Sequence, residues 1–408
     1  MSTKVRGRSE KWHQHILLAI SICVALALIA GILAAAEFIA RRMEPKVSGW
    51  IGHTPHDRLG WVPTPGRGQL ETGEFKASFS INALHMNDRE FEPATLRAKH
   101  RVLALGDSHT FAVGASTEET WPKQVETRLF ADRQSGVVFN AGVIGYSVGQ
   151  YLEMYRKHRQ TLMPTTVLVG FSMATDLYDL IPPERGGFIY GGDASRVYFD
   201  LDGQGNLLEK QHDSTKMNEK TEHQRDASHG LRSFLGQFAL FRTLKRSQLA
   251  MAVAMYYRPG GKSLWPGLDT ALKINLSDDD AYRWLLAERI LGRLADEAKR
   301  DGAQVLLVNI PYLAQVYDSV WASSFGRLPG TYDRMIASRR LAEMCARIGA
   351  RFVDTTEDFI AVARERKRWL HWPQDAHPTP EGHRLIADVI ERTVRKNEWL
   401  DAGVRNGK

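Results

Sequence analysis

Residues 101–111 read Arg101-Val102-Leu103-Ala104-Leu105-Gly106-Asp107-Ser108-His109-Thr110-Phe111, or RVLALGDSHTF. The apolar run Val102 to Leu105 suits a buried strand. Gly106-Asp107-Ser108 interrupts it with three turn-forming residues. A helical stretch follows past the loop from Gly114 to Thr117, over Trp121 to Phe130. A buried strand that ends in a small-residue turn and feeds a helix presents that turn at the carboxyl edge of a parallel sheet. Open α/β sheets hold their ligands at that edge. Ser108 is therefore a candidate nucleophile. The same three residues also make an ordinary turn, so the rest of the chain has to decide.

Working outward, the pattern alternates. Val137 to Asn140 reads as a strand, Ala141 to Gly145 as a glycine-rich turn and Val148 to Gln160 as a helix. Thr166 to Phe171 is a second apolar, β-branched run. A long helix starts at the cap residue Ser277, with Asp278 to Asp280 in its first turn, where acids complement the helix dipole. It precedes a strand at Gln304 to Ile310. Tyr332 to Ile348 reads as a helix, Arg351 to Asp354 as a strand and Pro380 to Lys396 as a closing helix. Strands alternating with helices predict an α/β class with a central parallel sheet covered on both faces. Residues 181–276 interrupt the rhythm as an insertion. They hold a glycine-rich part over Gly186 to Asn206 with a hairpin expected near Val197 to Leu201, and a polar stretch from Gln211 to His229. The amphipathic run Leu231 to Tyr257 reads as core packing, a lid or a membrane-surface helix.

The N-terminal end is different. Residues 1–46 form a basic tail and an apolar segment. Ile16 to Ala36 carries no charge over 21 residues, and Arg41, Arg42 and Lys46 close it. At 1.5 Å per residue such a helix spans about 31 Å, close to a bilayer core. A single transmembrane anchor is expected through Ile16–Ala36. A cleaved signal peptide ending near Ala34-Ala35-Ala36 is the rival reading. With the anchor, the rest of the chain is expected at the inner membrane on the periplasmic, extracytoplasmic side. Residues 47–100 are rich in Gly, Pro and His and lack a helical period, although Phe75 to Ile81 alternates like a strand. They read as a stalk and cap. A domain over residues 101–400 follows.

Composition sets bounds. The chain has 408 residues and a formal net charge of +7. Its basic residues are scattered rather than grouped, which argues against nucleic-acid binding. Cys23 and Cys345 are the only cysteines, so no disulfide framework exists. Nothing in the pattern calls for a cofactor, and oligomeric state leaves no trace in it.

Four separated blocks carry the chemistry: Gly106-Asp107-Ser108, Asn140-Ala141-Gly142-Val143-Ile144-Gly145, Ser172-Met173-Ala174-Thr175-Asp176, and Asp375-Ala376-His377-Pro378. Loops after successive strands of a doubly wound sheet converge on one edge. They can thus join Ser108, Gly145, Thr175 and His377. A serine hydroxyl is a poor nucleophile until a base takes its proton, and an imidazole is suited to do so near neutral pH. Asp375 can hold the His377 tautomer. Backbone N–H groups at Ser108 and Gly145 can serve a tetrahedral oxyanion.

In these four blocks the chain resembles the SGNH (GDSL-like) hydrolase superfamily, over about residues 101–395. The resemblance implies a flavodoxin-like three-layer α/β/α fold and a serine nucleophile acting on ester-linked acyl groups. Ser108 matches the family's nucleophile, Gly145 its oxyanion glycine and His377 its base. Leu59-Gly60-Trp61, and Ile81-Asn82-Ala83 through Asn87-Asp88-Arg89, look like the lead-in of membrane-anchored bacterial members. Two places depart from the pattern. Thr175 stands where the family has an asparagine donor, so either Thr175 replaces it, another donor does, or catalysis is weak. Gln374 stands three residues before His377, where the usual acid lies. The acid is instead Asp375, a spacing similar to the Asp-x-His of alginate O-acetyltransferase-like relatives.

Other readings use the same residues. His371, Asp375, His377 and His383 include metal-ligand types, but no metal is expected. His109 and His371 read as surface or supporting residues, and Trp372 as plain packing or a pocket wall. The functional reading is an ester hydrolase acting on O-acyl groups, acetyl foremost, of an envelope glycan or lipid. An O-acyltransferase with the same Ser108, Asp375 and His377, or a non-catalytic envelope protein, are the alternatives.

Overall fold

The computed structural model describes residues 3–43, 49, 51–130, 132, 134–180, 196–212, 238, 266–326 and 328–400. The chain divides into two compact units, Val47–Glu222 with Arg258–Lys408, and Met1–Lys46 with His223–Tyr257. In the latter, α1 runs over Thr3–Met43. Its segment Ile20–Arg42 is long and apolar enough to cross a membrane, or to act as a signal sequence. The amphipathic stretch Leu231 to Tyr257 lies, except for Phe238, outside the described residues, as does most of Gln211 to His229.

The larger unit opens with two antiparallel pairs, β1 (His53–His56) with β2 (Gly60–Pro63) and β3 (Gly66–Glu71) with β4 (Lys76–Ile81). The α/β part follows: β5 (His100–Gly106), α2 (Ser108–Phe111), α3 (Trp121–Leu129), β6 (Gly136–Asn140), α4 (Val148–Leu162) and β7 (Thr166–Ser172). A hairpin of β8 (Arg196–Leu201) and β9 (Leu207–His212) is inserted there. Its first strand lies where the alternation of Val197 to Leu201 placed it, and its second, β9, lies just beyond the glycine-rich stretch that ends at Asn206. Then come α5 (Pro266–Leu272), α6 (Asp278–Arg300), β10 (Gln304–Ile310), α7 (Leu313–Val316), α8 (Asp318–Ser324), α9 (Ile336–Ile348), β11 (Arg351–Asp354), α10 (Thr356–Arg366) and α11 (Pro380–Lys396).

The central sheet has five parallel strands in the order β11-β10-β7-β5-β6. Counted in order of appearance this is 2-1-3-4-5, the flavodoxin-like arrangement. Period-two alternation divides the strands between two cores. Leu103, Leu105, Val167, Val169 and Leu307 face a core with Leu152, Tyr155, Leu286, Leu294 and Leu341 of α4, α6 and α9. Val102, Ala104, Leu168, Leu306 and Val308 face the other, with Trp121, Val125, Phe359, Ile386 and Ile390 of α3, α10 and α11. Both faces are therefore covered, and the three-layer α/β/α fold is the one the strand–helix rhythm called for.

Local chemistry sets several ends. The Ser277 hydroxyl accepts the Asp280 N–H and caps α6. Thr379 caps α11, with Pro380 at its first turn. α9 starts at Ile336 rather than Tyr332. Tyr332 bridges to Lys273, and its hydroxyl donates to Asp269 at 2.6 Å, so it is held outside the helix.

The segment expected as a stalk and cap is built into the larger unit. Leu59, Trp61 and Met86 are fully or nearly buried in the core on the α4 side. Gln150 Nε2 donates to Leu59 O at 2.8 Å, and the Tyr146 hydroxyl donates to Trp61 O. Asp88, with no exposed surface, sits against Lys123, whose Nζ lies 2.9 Å from Asp88 Oδ1 and 3.0 Å from Glu126 Oε2. Lys123 Nζ also donates to Val138 O at 3.0 Å. Removing one partner of a buried ion pair leaves the other charge uncompensated and costs about 3–5 kcal/mol. Lys123→Met is expected to destabilise the larger unit by about that amount, read as a lowered denaturant midpoint of the full chain; an unchanged midpoint contradicts this.

Candidate active site

Ser108 is not in a turn ahead of a distant helix. It is the first residue of α2, a four-residue helix capped by Asp107, whose Oδ1 accepts the His109 N–H at 2.8 Å. The first amides of a helix have no partner within it, so the Ser108 N–H is left free of the helix ladder at the sheet edge. The second block reaches the same edge because β6 pairs onward past its end. Ala141 N–H donates to Ala104 O at 2.9 Å and Val143 N–H to Gly106 O at 3.0 Å. Gly142 is required by close approach, since a Cβ there would lie 2.3 Å from the Phe111 nitrogen. Gly145 has φ +77°, a left-handed conformation that glycine adopts without strain.

His377 comes from the loop before α11. Trp372 N–H donates to His377 O at 2.8 Å and Ala376 N–H to Trp372 O at 2.7 Å, which closes the loop on itself. Ala376, with φ +73°, occupies the left-handed region without being glycine, a strain that the surrounding contacts hold in place. The Asp375 carboxylate accepts from His377 Nδ1 at 2.5 Å, which leaves Nε2 to accept from the Ser108 hydroxyl at 2.7 Å. Burial pushes the Asp375 carboxyl up, but the hydrogen bonds and charge of His377, with the His109 charge, together outweigh it and hold the group below the ordinary carboxylate range. Ser108, His377 and Asp375 are thus in one hydrogen-bonded line.

Ser108, Gly145, Thr175 and His377 all line one cavity of about 330 Å³. Thr175 has another commitment, however. Its hydroxyl donates to Asp107 Oδ2 at 2.6 Å, so that proton is turned away from the cavity. Burial raises the Asp107 carboxyl, and His109 together with Thr175 more than reverses the effect, so it stays ionised. Asp176, below it, accepts from Ser172 N–H at 2.7 Å and from the Tyr151 hydroxyl at 2.5 Å. Burial and the nearby Asp107 push Asp176 well above its ordinary value.

The other histidines lie elsewhere. His109, read as a surface or supporting residue, is buried and supporting, with Nδ1 3.3 Å from Asp107 and its ring 4.7 Å from that of His377. His371 is also fully buried, with Nε2 3.0 Å from Pro311 O and Nδ1 facing the Tyr317 hydroxyl. Burial lowers His371 and His383 to about 3, so both are neutral. They do not converge on Asp375. Among the described residues, no group of three or more His, Cys, Asp or Glu side chains is placed to hold a metal. Trp372 stands outside the cavity lining and donates to Gly114 O at 3.3 Å.

Three contributions to the site were missed in the sequence. Glu74 reaches across 300 residues to accept the Gln374 N–H at 3.0 Å, and it accepts the Asp375 N–H at 2.8 Å. Asn87 Nδ2 donates to Phe111 O at 2.9 Å, and Asp88 Oδ2 accepts the Asn140 N–H at 3.1 Å, tying α2 and the second block to one short segment. The sequence offered Asn87 and Asp88 only as part of the lead-in resemblance, without these contacts. The third is Asp179, which lines the cavity four residues past Thr175.

No family model matches the chain, and no curated protein matches it. Solved structures do. Esterase EstA from a Pseudoalteromonas species aligns at 14% identity over 74% of this chain and 100% of its own, with a TM-score of 0.35. A catalytic mutant of Axe2, an acetylxylan esterase from Geobacillus stearothermophilus, aligns at 13% identity over 72% and 94%, with a TM-score of 0.37. The acetyl xylan esterase AlAXEase aligns at 14% identity over 72% and 99%, with a TM-score of 0.37.

Asp179 gives a pH-dependent test. Burial and the Asp107 charge raise its carboxyl to about 7, against the opposing Arg196 and Arg283. The unfolded group ionises near 4. Between those values the unfolded chain has lost a proton that the folded chain keeps. Stability attached to this group is therefore present at low pH and lost as pH rises toward 7. Asp179→Asn is expected to raise the melting temperature at pH 8 and to do so less at pH 5; an equal or opposite shift contradicts the assignment.

Proposed function

We propose that this chain is a serine ester hydrolase of the SGNH type, anchored in the inner membrane through α1, with its larger unit on the extracytoplasmic side. It acts there on O-acyl esters of an envelope glycan or lipid. The observation that carries this reading is the line Ser108 Oγ, His377 Nε2, His377 Nδ1 and Asp375, with separations of 2.7 and 2.5 Å. Such a line is the requirement for activating a serine.

The residues then have definite roles. Ser108 Oγ attacks the ester carbonyl while His377 Nε2 takes the hydroxyl proton. Asp375 stabilises the imidazolium. The tetrahedral oxyanion is received by the backbone N–H groups of Ser108 and Gly145, since the Thr175 hydroxyl is engaged with Asp107. Collapse breaks the bond to the leaving alkoxide, which takes the proton from His377 and departs as an alcohol. Water attacks the acyl-Ser108 carbonyl, gives its proton to His377, and releases the carboxylic acid as Ser108 recovers its own proton. The sum is ester plus water to acid plus alcohol. An acceptor hydroxyl in place of water makes the same site an O-acyltransferase.

The purified full chain should hydrolyse p-nitrophenyl acetate. Ser108→Ala and His377→Ala should each lower kcat by at least about 10³-fold. Rates equal to wild type in both variants would remove the reading in favour of a non-catalytic envelope protein. Added glycan acceptors, with products identified, separate hydrolysis from transfer. Glu74→Ala, which frees the Asp375 loop, should lower kcat about tenfold with KM nearly unchanged; a change in KM alone would contradict a positioning role.

A further inference from the structure

We propose that the ester taken by this site carries an apolar acyl chain of about six to ten carbons, seated against Ile51, Leu70, Val113 and Ile144, rather than an acetyl group. This rests on the hydrolase reading of Ser108 and goes on to name its substrate class. The cavity has a reacting end, made by Ser108, Gly145 and His377, and a long apolar wall. The wall is assembled from three distant parts of the chain: Ile51 and Leu70 from the N-terminal strand region, Val113 just after α2, and Ile144 beside Gly145.

This wall is backed by its own small core. Ile51 and Val113 are buried in a cluster with Phe75, Ala77, Phe79, Ile81 and Phe111, and the half-buried Leu70 and Ile144 pack on its edge. The apolar surface is thus fixed in place next to the nucleophile. A water-sized group takes about 30 Å³, so a cavity of about 330 Å³ holds on the order of ten of them. The methyl of an acetyl group would fill one and leave the wall against water. His53, Asp107, Tyr146, Thr175 and Asp179 also line the cavity, but among the described residues no Lys or Arg does. An acidic sugar or a phosphate would find no cation there. An alkyl chain is the occupant that matches the apolar wall.

Each methylene buried against such a wall raises kcat/KM about threefold to fourfold. The test is a series of p-nitrophenyl esters from acetyl to dodecanoyl, hydrolysed by the full chain in lipid nanodiscs, with Ser108→Ala alongside. The expected optimum lies between hexanoyl and decanoyl, with hexanoyl preferred over acetyl by about 30-fold or more in kcat/KM. Leu70→Trp, and independently Ile51→Trp, should move the optimum to shorter chains. The wild-type profile decides even if either variant fails to fold. A Ser108-dependent optimum at acetyl overturns the acyl-chain proposal and leaves the hydrolase reading intact. No Ser108-dependent turnover at any length overturns the reading beneath it.

Discussion

The hydrogen bond between Ser108 and His377 joins the start of α2 to a loop 269 residues further along the chain, and the geometry of the site depends on that closure. Neither residue is held by its own neighbours alone. Ser108 is carried by the capped turn at the end of β5. His377 is carried by a loop that folds back on Trp372 and is strained at Ala376. A parallel sheet in the order 2-1-3-4-5 brings the ends of β5, β6 and β7 to one edge, and the return of α11 against α3 brings the fourth block to the same place.

Residues 51–100 act as a frame for this arrangement. Glu74 holds the amides of the Asp375 loop, Asn87 holds the end of α2, and Asp88 holds the end of β6 while neutralised by Lys123. The same segment supplies Ile51 and Leu70 to the cavity. Three parts of the site are thereby tied by hydrogen bonds to one segment. Preorganisation of this kind is what lets hydrogen-bond donors act on developing charge without first reorienting.

Much of the fold was legible because burial leaves a periodic trace. β10, β11 and α11 have the bounds that their apolar runs and caps predicted, and Ser277 starts α6 as its acids suggested. A four-residue helix is barely longer than one 3.6-residue turn, too short to repeat an apolar stripe, which is why α2 was read as a turn and α7 was not anticipated. α10 also went unseen; few of its side chains are buried, so its apolar stripe is weak. The four blocks were legible as residue types. The partner of the Thr175 hydroxyl was not, since the choice between oxyanion and Asp107 depends on a distance across 68 residues. The frame was missed for the same reason. A carboxylate that accepts two amides 300 residues away has no local signature, and a segment rich in Gly and Pro without helical period is indistinguishable from a stalk until its contacts are known.

The central claim is that His377 makes Ser108 a nucleophile. A fluorophosphonate tests this most directly, because it phosphonylates an activated serine and leaves an ordinary hydroxyl alone. Mass spectrometry of the labelled full chain should find one adduct, on Ser108, formed at least about 10²-fold more slowly in His377→Ala. Labelling of Ser108 at the same rate in both proteins, or no labelling of Ser108 in the wild type, would contradict the account.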